Sequence, residues 1–220
     1  GNYLGAIRPA LELAKDYDTV YFIADYHALT TVHDGKEMAD NIHKVAATWL
    51  ACGLDPEKGL FYKQSDIPEI FELSWALSCF TPKGFMNRAH AYKAKVEANR
   101  ANGEDLDTNV NMGLYCYPCL MDADILMFNA DVVPVGKDQK QHVEFARDVA
   151  IRFNKQMGKD VFVVPEPLIQ ETTDVIPGLD GRKMSKSYDN TIELFLDEKA
   201  RKKKVNKIVT NSLPLEAAKD

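Results

Sequence analysis

The sequence predicts an α/β fold, a parallel sheet with helices on both faces, and three observations carry that expectation. Short apolar runs rich in β-branched and aromatic residues alternate with helical patterns along the chain, the order that builds a parallel sheet. The runs are continuously apolar rather than alternating, as strands buried on both faces should be. No internal repeat or low-complexity tract interrupts the rhythm. In order, Leu4, Ile7, Leu11, Leu13 and Ala14 mark a first helix, and Thr19–Ala24 reads as a buried strand. A helix from about Lys36 to Cys52 turns Ala39, Ile42, Val45, Ala46, Trp49 and Leu50 to one side and stops at Gly53. Leu60–Tyr62 is the next strand, and Ser65-Asp66-Ile67-Pro68 resembles a helix cap before Ile70, Phe71 and Leu73. Residues 99–111 are polar and read as an exposed loop. Asp131–Val135 is a strand whose Pro134 suggests a strand end or an edge. After Gly136, Asp138–Met157 reads as a helix with Val143, Ala146, Val149, Ala150 and Phe153 inward, and Val161–Val164 as the last clear strand. Residues 170–190, glycine- and lysine-bearing, form a loop outside the strand carboxyl ends, where ligands bind in such sheets.

Composition narrows the function classes. The chain has 220 residues, 27 Lys+Arg against 33 Asp+Glu and a formal net charge of -6, which argues against coating nucleic acid by bulk charge. No apolar stretch approaches the roughly 18 residues of a membrane span, and no signal-peptide pattern opens the chain. Four cysteines do not make a disulfide framework, and a cytoplasmic protein is expected. Position 1 is a glycine that leads straight into a helical pattern, so a fragment of a longer protein is expected.

Several groups could carry chemistry. Lys183-Met184-Ser185-Lys186-Ser187 places two lysines in a glycine- and serine-flanked arm suited to clamping a polyphosphate; a solvated basic loop has the same composition. Tyr117, Met121 and Asp124 share one helical face. They could bracket a flat ring and accept one N–H from its edge, although spacing alone favours a core face with one acid at its rim. Gly136, Lys137, Asp138 and Gln139 follow a strand and open a helix, which suits ribose or amine contacts as well as ordinary capping. His27 ends a strand, and Lys93 and Lys95 sit on a helix; each is equally at home as a structural or solvated residue. Cys116 and Cys119 have metal-ligand spacing but no second pair. Lys199, Arg201, Lys202, Lys203, Lys204 and Lys207 form a basic helical stretch that could meet nucleic-acid phosphates but is read first as a solvated face.

On these residues the chain resembles the class I aminoacyl-tRNA synthetases, and within them the tryptophanyl-tRNA synthetase family. Lys183–Ser187 matches the KMSKS signature at all five positions, and Gly1-Asn2-Tyr3 is similar to the second half of the family's ATP motif. The run Tyr117–Leu126 resembles the tryptophan pocket, with Met121 where tyrosine enzymes typically carry glutamine. The resemblance implies a Rossmann-like catalytic domain over residues 1–189, lacking its first strand, and the beginning of a helical anticodon-binding domain over 190–220. It implies ATP contacts at Gly1, Asn2, Gly136, Lys137, Asp138, Val175, Lys183, Met184, Ser185, Lys186 and Ser187. Tryptophan contacts fall at His27, Tyr117, Met121, Asp124, Val133, Val135 and Gln139. Catalysis is implied for Asn2, Lys93, Lys95, Lys183 and Lys186, with ATP and Mg²⁺ as co-substrate and no iron–sulfur cluster. Partners implied are L-tryptophan and tRNA(Trp), the latter poorly bound by this fragment, in a homodimer. A tyrosine-specific enzyme and a truncated, non-catalytic binding module are the alternatives.

Overall fold

Side-chain burial, rather than strand pairing, sets the centre of this molecule. A computed structural model describes residues 3–136, 139–169 and 176–209, without the Lys186 side chain. A π-helical turn, Tyr3–Ile7, runs into α1 (Arg8–Leu13) and buries Ile7. β1 (Val20–Ile23) leads to the one-turn α2 (Asp25–Ala28) and then α3 (Gly35–Ala51), whose N-cap Asp34 accepts from the Glu37 amide. Gly53, at φ 105°, turns the chain out of α3, a conformation that side chains with a Cβ rarely adopt. β2 (Leu60–Lys63) ends in a 3₁₀ turn, Gln64–Asp66, before α4 (Glu69–Ser78). α5 (Lys83–Met86), α6 (His90–Ala101) and α7 (Met112–Leu126) follow. Then come β3 (Val132–Val135), α8 (Lys140–Met157), β4 (Glu166–Ile169) and α9 (Glu198–Val205).

The strands pair in parallel, as expected, in two ladders: β1 with β2 from Val20↔Leu60 to Ile23↔Lys63, and β3 with β4 from Val132↔Glu166 to Val135↔Ile169. Between them lies a groove of about 510 Å³, lined by Val20, Tyr21 and Phe22 of β1 and Val132, Val133 and Pro134 of β3. Pro134 has no N–H to offer a neighbour, in keeping with its place on a strand that has a single partner. No helix of the described residues is long and apolar enough to cross a membrane.

The core is a three-helix contact. Ile70 and Leu77 of α4, Leu120, Ala123 and Leu126 of α7, and Val149 and Ala150 of α8 form one buried cluster. Each fully buried Leu or Ile there is worth roughly 1.5–3 kcal/mol. The inward face expected for residues 138–157 is found: Val143, Ala146, Val149 and Ala150 are buried, and Phe153 packs against the cluster.

Four expectations are corrected. Residues 161–164 are not a strand. The Asn154 side chain accepts from the Val161 and Phe162 amides and donates to the Phe162 carbonyl, so the ladder begins five residues later, at Glu166. Ser65 and Asp66 do not cap α4, since the N-cap is Pro68, without a side-chain bond. Asn99 belongs to α6 rather than to an exposed loop; it is buried and donates to the Leu106 and Thr108 carbonyls. The face of α3 is less covered than its pattern suggests, with Val45 and Leu50 exposed.

α7 also buries an acid. Asp122 is 0% exposed, and among the described residues neither carboxylate oxygen has a hydrogen-bond partner. Burial, then the nearby Asp124 charge, holds its carboxyl well above the ordinary 3.8. A folded-state value above the unfolded one means the acid is tolerated at low pH and costs stability as pH rises through the folded value. Asp122→Ala is therefore expected to stabilise the chain at pH 7 by about 1–3 kcal/mol, the typical cost of an unpartnered buried polar group. Urea unfolding across pH 4 to 8 checks this: the gain should widen with pH, and a pH-independent or negative difference would disprove it.

Candidate active site

The polar site forms where β1 and β2 end. Asp25 opens α2, and its Oδ1 accepts from the Ser65 amide at 3.0 Å, joining the end of β2 to the start of α2. Gln64 then points inward and is 0% exposed. Its Oε1 accepts from the Tyr26 amide at 3.1 Å, and its Nε2 donates to Asp124 Oδ1 at 2.7 Å. His27 Nε2 meets Asp124 Oδ2 at 2.8 Å, so an ionised Asp124 places the His27 proton on Nε2. Asp124 is thus fixed by one donor from β2's end and one from α2. Each carboxylate oxygen retains a second lone-pair site for an incoming N–H. Asp124 also borders the groove between the ladders, together with Val133. Burial and the Asp124 charge push the Tyr62 phenol well up; it stays protonated at neutral pH.

A second chain of bonds starts two turns earlier on α7. Tyr117 Oη lies 3.1 Å from His142 Nε2, and His142 Nδ1 lies 2.7 Å from Gln139 Oε1. With Gln139 accepting, neutral His142 carries its proton on Nδ1 and accepts from the tyrosine hydroxyl. The Gln139 amide donates to the Gly136 carbonyl at 3.0 Å, which sets this residue at the mouth of α8 directly after β3. The His27 and Tyr117 rings meet edge-on at 6.4 Å. Of the expected contacts, His27, Tyr117, Asp124 and Gln139 are therefore brought together, and Met121 is half-buried on the same helix. Val135 is half-buried on β3 but does not border the groove.

The lysine loop is a small hairpin with an antiparallel bridge between Pro177 and Lys183. Gly178 donates to the Arg182 carbonyl and Met184 to the Ile176 carbonyl. Asp180 receives the Asn190 amide at 2.7 Å and the Arg182 guanidinium at 2.6 Å. Those bonds, Asn190's first, pull its carboxyl down to about 2. Lys183 is exposed, and no carboxylate among the described residues pairs with it. Ser185 and Ser187 share a hydroxyl bond of 2.7 Å. On α9, Lys204 turns back to the Thr191 carbonyl and Glu193, while the other basic residues of the stretch are exposed, as a solvated face requires.

Lys93 is exposed beside Glu97 and Lys95 is half-buried on α6, whose neighbour is α7; among the described residues no bond joins either to the polar site. Gly1, Asn2, Lys137, Asp138, Val175 and the Lys186 side chain lie outside the described residues. Sequence reasoning missed Gln64 and Asn190. Neither lies in an apolar pattern, and the only available signal for each was a polar residue beside an element expected to be buried or functional.

Parallel strands with a carboxylate, a histidine and an amide gathered where β1 and β2 end, followed by a hairpin with an exposed lysine, define an α/β domain with a polar site outside its strand carboxyl ends, where ligands bind in such sheets. Residues 1–218 match the family described as tRNA synthetases class I (W and Y), and the chain belongs to that family. It is 59% identical over 214 residues to a tryptophan--tRNA ligase of Neisseria meningitidis, spanning 96% of this chain and 63% of that protein. It is 57% identical over 224 residues to that of Pseudomonas putida, spanning 100% of this chain and 50% of the other. The tryptophanyl-tRNA synthetase of Campylobacter jejuni, solved with ADP and tryptophan, superposes with a TM-score of 0.86 at 48% identity, over 100% of this chain and 66% of that one. The tyrosyl-tRNA synthetase of Archaeoglobus fulgidus shares the fold, with a TM-score of 0.69 at 22% identity, over 94% of this chain and 61% of that one. The chain thus spans between half and two thirds of the length of these proteins.

Proposed function

We propose that this chain is the activating part of a tryptophan–tRNA ligase, joining ATP and L-tryptophan to give tryptophanyl-adenylate and pyrophosphate before acyl transfer to tRNA(Trp). The observation that carries the reading is Asp124, held by Gln64 and His27 with acceptor sites remaining, on the same helix as the half-buried Met121. An indole offers one N–H and no acceptor, so a fixed carboxylate with a thioether neighbour suits it, whereas a phenol hydroxyl would call for a group that can also donate. The identity to tryptophan enzymes over 96% and more of the chain supports the same choice.

In the activating step a carboxylate oxygen of tryptophan forms a bond to the α-phosphorus. The bond from that phosphorus to the bridging oxygen breaks, and its electron pair leaves with pyrophosphate. Catalysis is then positioning and charge stabilisation rather than acid–base work. His27, Tyr117, Met121, Asp124, Val133, Val135 and Gln139 hold the amino acid. Gly1, Asn2, Gly136, Lys137, Asp138, Val175, Met184, Ser185 and Ser187 meet ATP, with Asn2 at the α-phosphate. Lys183 and Lys186 take the departing pyrophosphate, and Lys93 and Lys95 approach the phosphates from α6. Among the described residues no group of three His, Cys, Asp or Glu side chains converges to hold a metal. Mg²⁺ would arrive on the nucleotide and spread its phosphate charge. Residues 190–220 begin a helical anticodon-binding domain, the homodimer is the assembly, and the cytoplasm is the setting.

Tryptophan-dependent ATP–pyrophosphate exchange on residues 1–220, with tyrosine in parallel, tests this. Exchange with tryptophan alone is expected. Exchange with tyrosine alone would refute the pocket argument, and tryptophan binding without exchange would select a non-catalytic binding module.

A further inference from the structure

Asn190 is the most enclosed polar residue of the lysine hairpin, at 2% exposure, and among the described residues all of its bonds go to that hairpin. Its Nδ2 donates to Asp180 Oδ1 at 2.7 Å and to the Lys183 carbonyl at 3.1 Å. Its Oδ1 accepts from the Ser185 amide at 2.8 Å, and its carbonyl accepts from the Leu179 amide at 2.9 Å. Two donors and one acceptor on one short side chain are the property of an asparagine; an aspartate could supply only the acceptor. Gly178 makes room for it, because a Cβ at that position would come within 2.3 Å of the Asn190 amide. The chain on either side of the lysine run is thus closed around this one side chain, while Lys183 is exposed with no carboxylate partner among the described residues.

We propose, resting on the activating role argued above, that Asn190 is a positioning residue for the reaction. It fixes the backbone of Lys183 and Ser185 in the arrangement that presents the lysine run to the polyphosphate of ATP. It touches neither reactant and acts through the two residues it holds. Because none of its bonds reaches the α4–α7–α8 core, its loss should leave the fold and the amino-acid pocket in place.

Asn190→Ala removes all three side-chain bonds. Asn190→Asp keeps the acceptor for Ser185 but loses both donations and sets a carboxylate against Asp180. In the exchange assay on the full chain, both variants are expected to lower kcat/KM for ATP by about 10- to 100-fold, the scale of a misplaced catalytic group. The tryptophan dissociation constant should move less than about twofold and the melting temperature little. Hydrogen exchange at the Ser185 amide should be fast in Asn190→Ala and slower in Asn190→Asp. Unchanged ATP parameters in both variants would overturn the proposal. So would equal losses for ATP and tryptophan with a lowered melting temperature, the mark of a purely structural role. A wild-type chain that exchanges with neither amino acid would refute the functional reading alone. Equilibrium binding of radiolabelled ATP and the Ser185 amide then decide this proposal: weaker ATP binding with faster exchange supports it, and no change in either overturns it.

Discussion

Replacing Lys186 by Ala should slow tryptophanyl-adenylate formation by about 10²–10³-fold, the usual loss for one preorganised charge-stabilising donor, and leave tryptophan affinity within about twofold. The asymmetry follows from where charge develops. As the α-phosphorus changes partners, negative charge accumulates on pyrophosphate and not on the indole, so a lysine serving that charge acts on the transition state far more than on the bound amino acid. The hairpin fits this role: Lys183 stands exposed and unpaired by any described carboxylate, and Lys186 opens the short 3₁₀ turn that follows, Lys186–Tyr188. Single-turnover formation of labelled adenylate, beside a tryptophan titration by intrinsic fluorescence, measures the two terms separately. Equal loss of both would remove Lys186 from the catalytic role.

The second large effect is at Asp124. Its replacement by Ala takes away the buried carboxylate that His27 and Gln64 hold in place, so the two donors lose their acceptor at the same time as the indole would. A hydrogen bond to a charged group is worth about 1.5–3 kcal/mol, which corresponds to roughly 10- to 150-fold in the KM for tryptophan. ATP affinity should be little affected. Asp124→Asn is not expected to rescue fully, because its oxygen keeps the bond from Gln64 only when its amide meets His27 Nε2, which forces the imidazole proton onto Nδ1 and leaves a neutral oxygen in place of the carboxylate. Exchange kinetics as a function of tryptophan at saturating ATP test this. Full activity in Asp124→Asn would show that an acceptor alone suffices and that the held geometry does not matter.

The architecture was legible where the sequence carried period or composition. β1, β2, β3, α3 and α8 stand within a few residues of their expected bounds because each is a long or uniformly apolar run. The fourth strand was misplaced because Val161–Val164 has the composition of a strand, while the decision is made by Asn154, a single side chain seven residues upstream that takes those amides for itself. The site divides similarly. Tyr117, Met121 and Asp124 were visible as one face of α7, and His27 as a residue at a strand end. Gln64 was not, because its partners lie 38 and 60 residues away along the chain, and no local pattern records a contact of that range. Asn190 follows the Lys183–Ser187 run closely, yet only the folded hairpin shows that its amide faces inward.

α7 meets the core and the pocket within a single turn: Ala123 and Leu126 are sealed against α4 and α8, and Asp124 stands between them facing His27 and Gln64. For an evolving lineage this couples two kinds of change that are separable in most domains. Any drift that rotates or shifts the helix to repack its interior also moves Asp124, so if that acid reads the substrate as proposed, selection on the substrate holds the interior still. On the same proposal, a new amino-acid preference is reached through the half-buried Met121 rather than through the sealed Ala123 and Leu126. The record of past specificity should accordingly be written at that position, while its immediate neighbours stay constant.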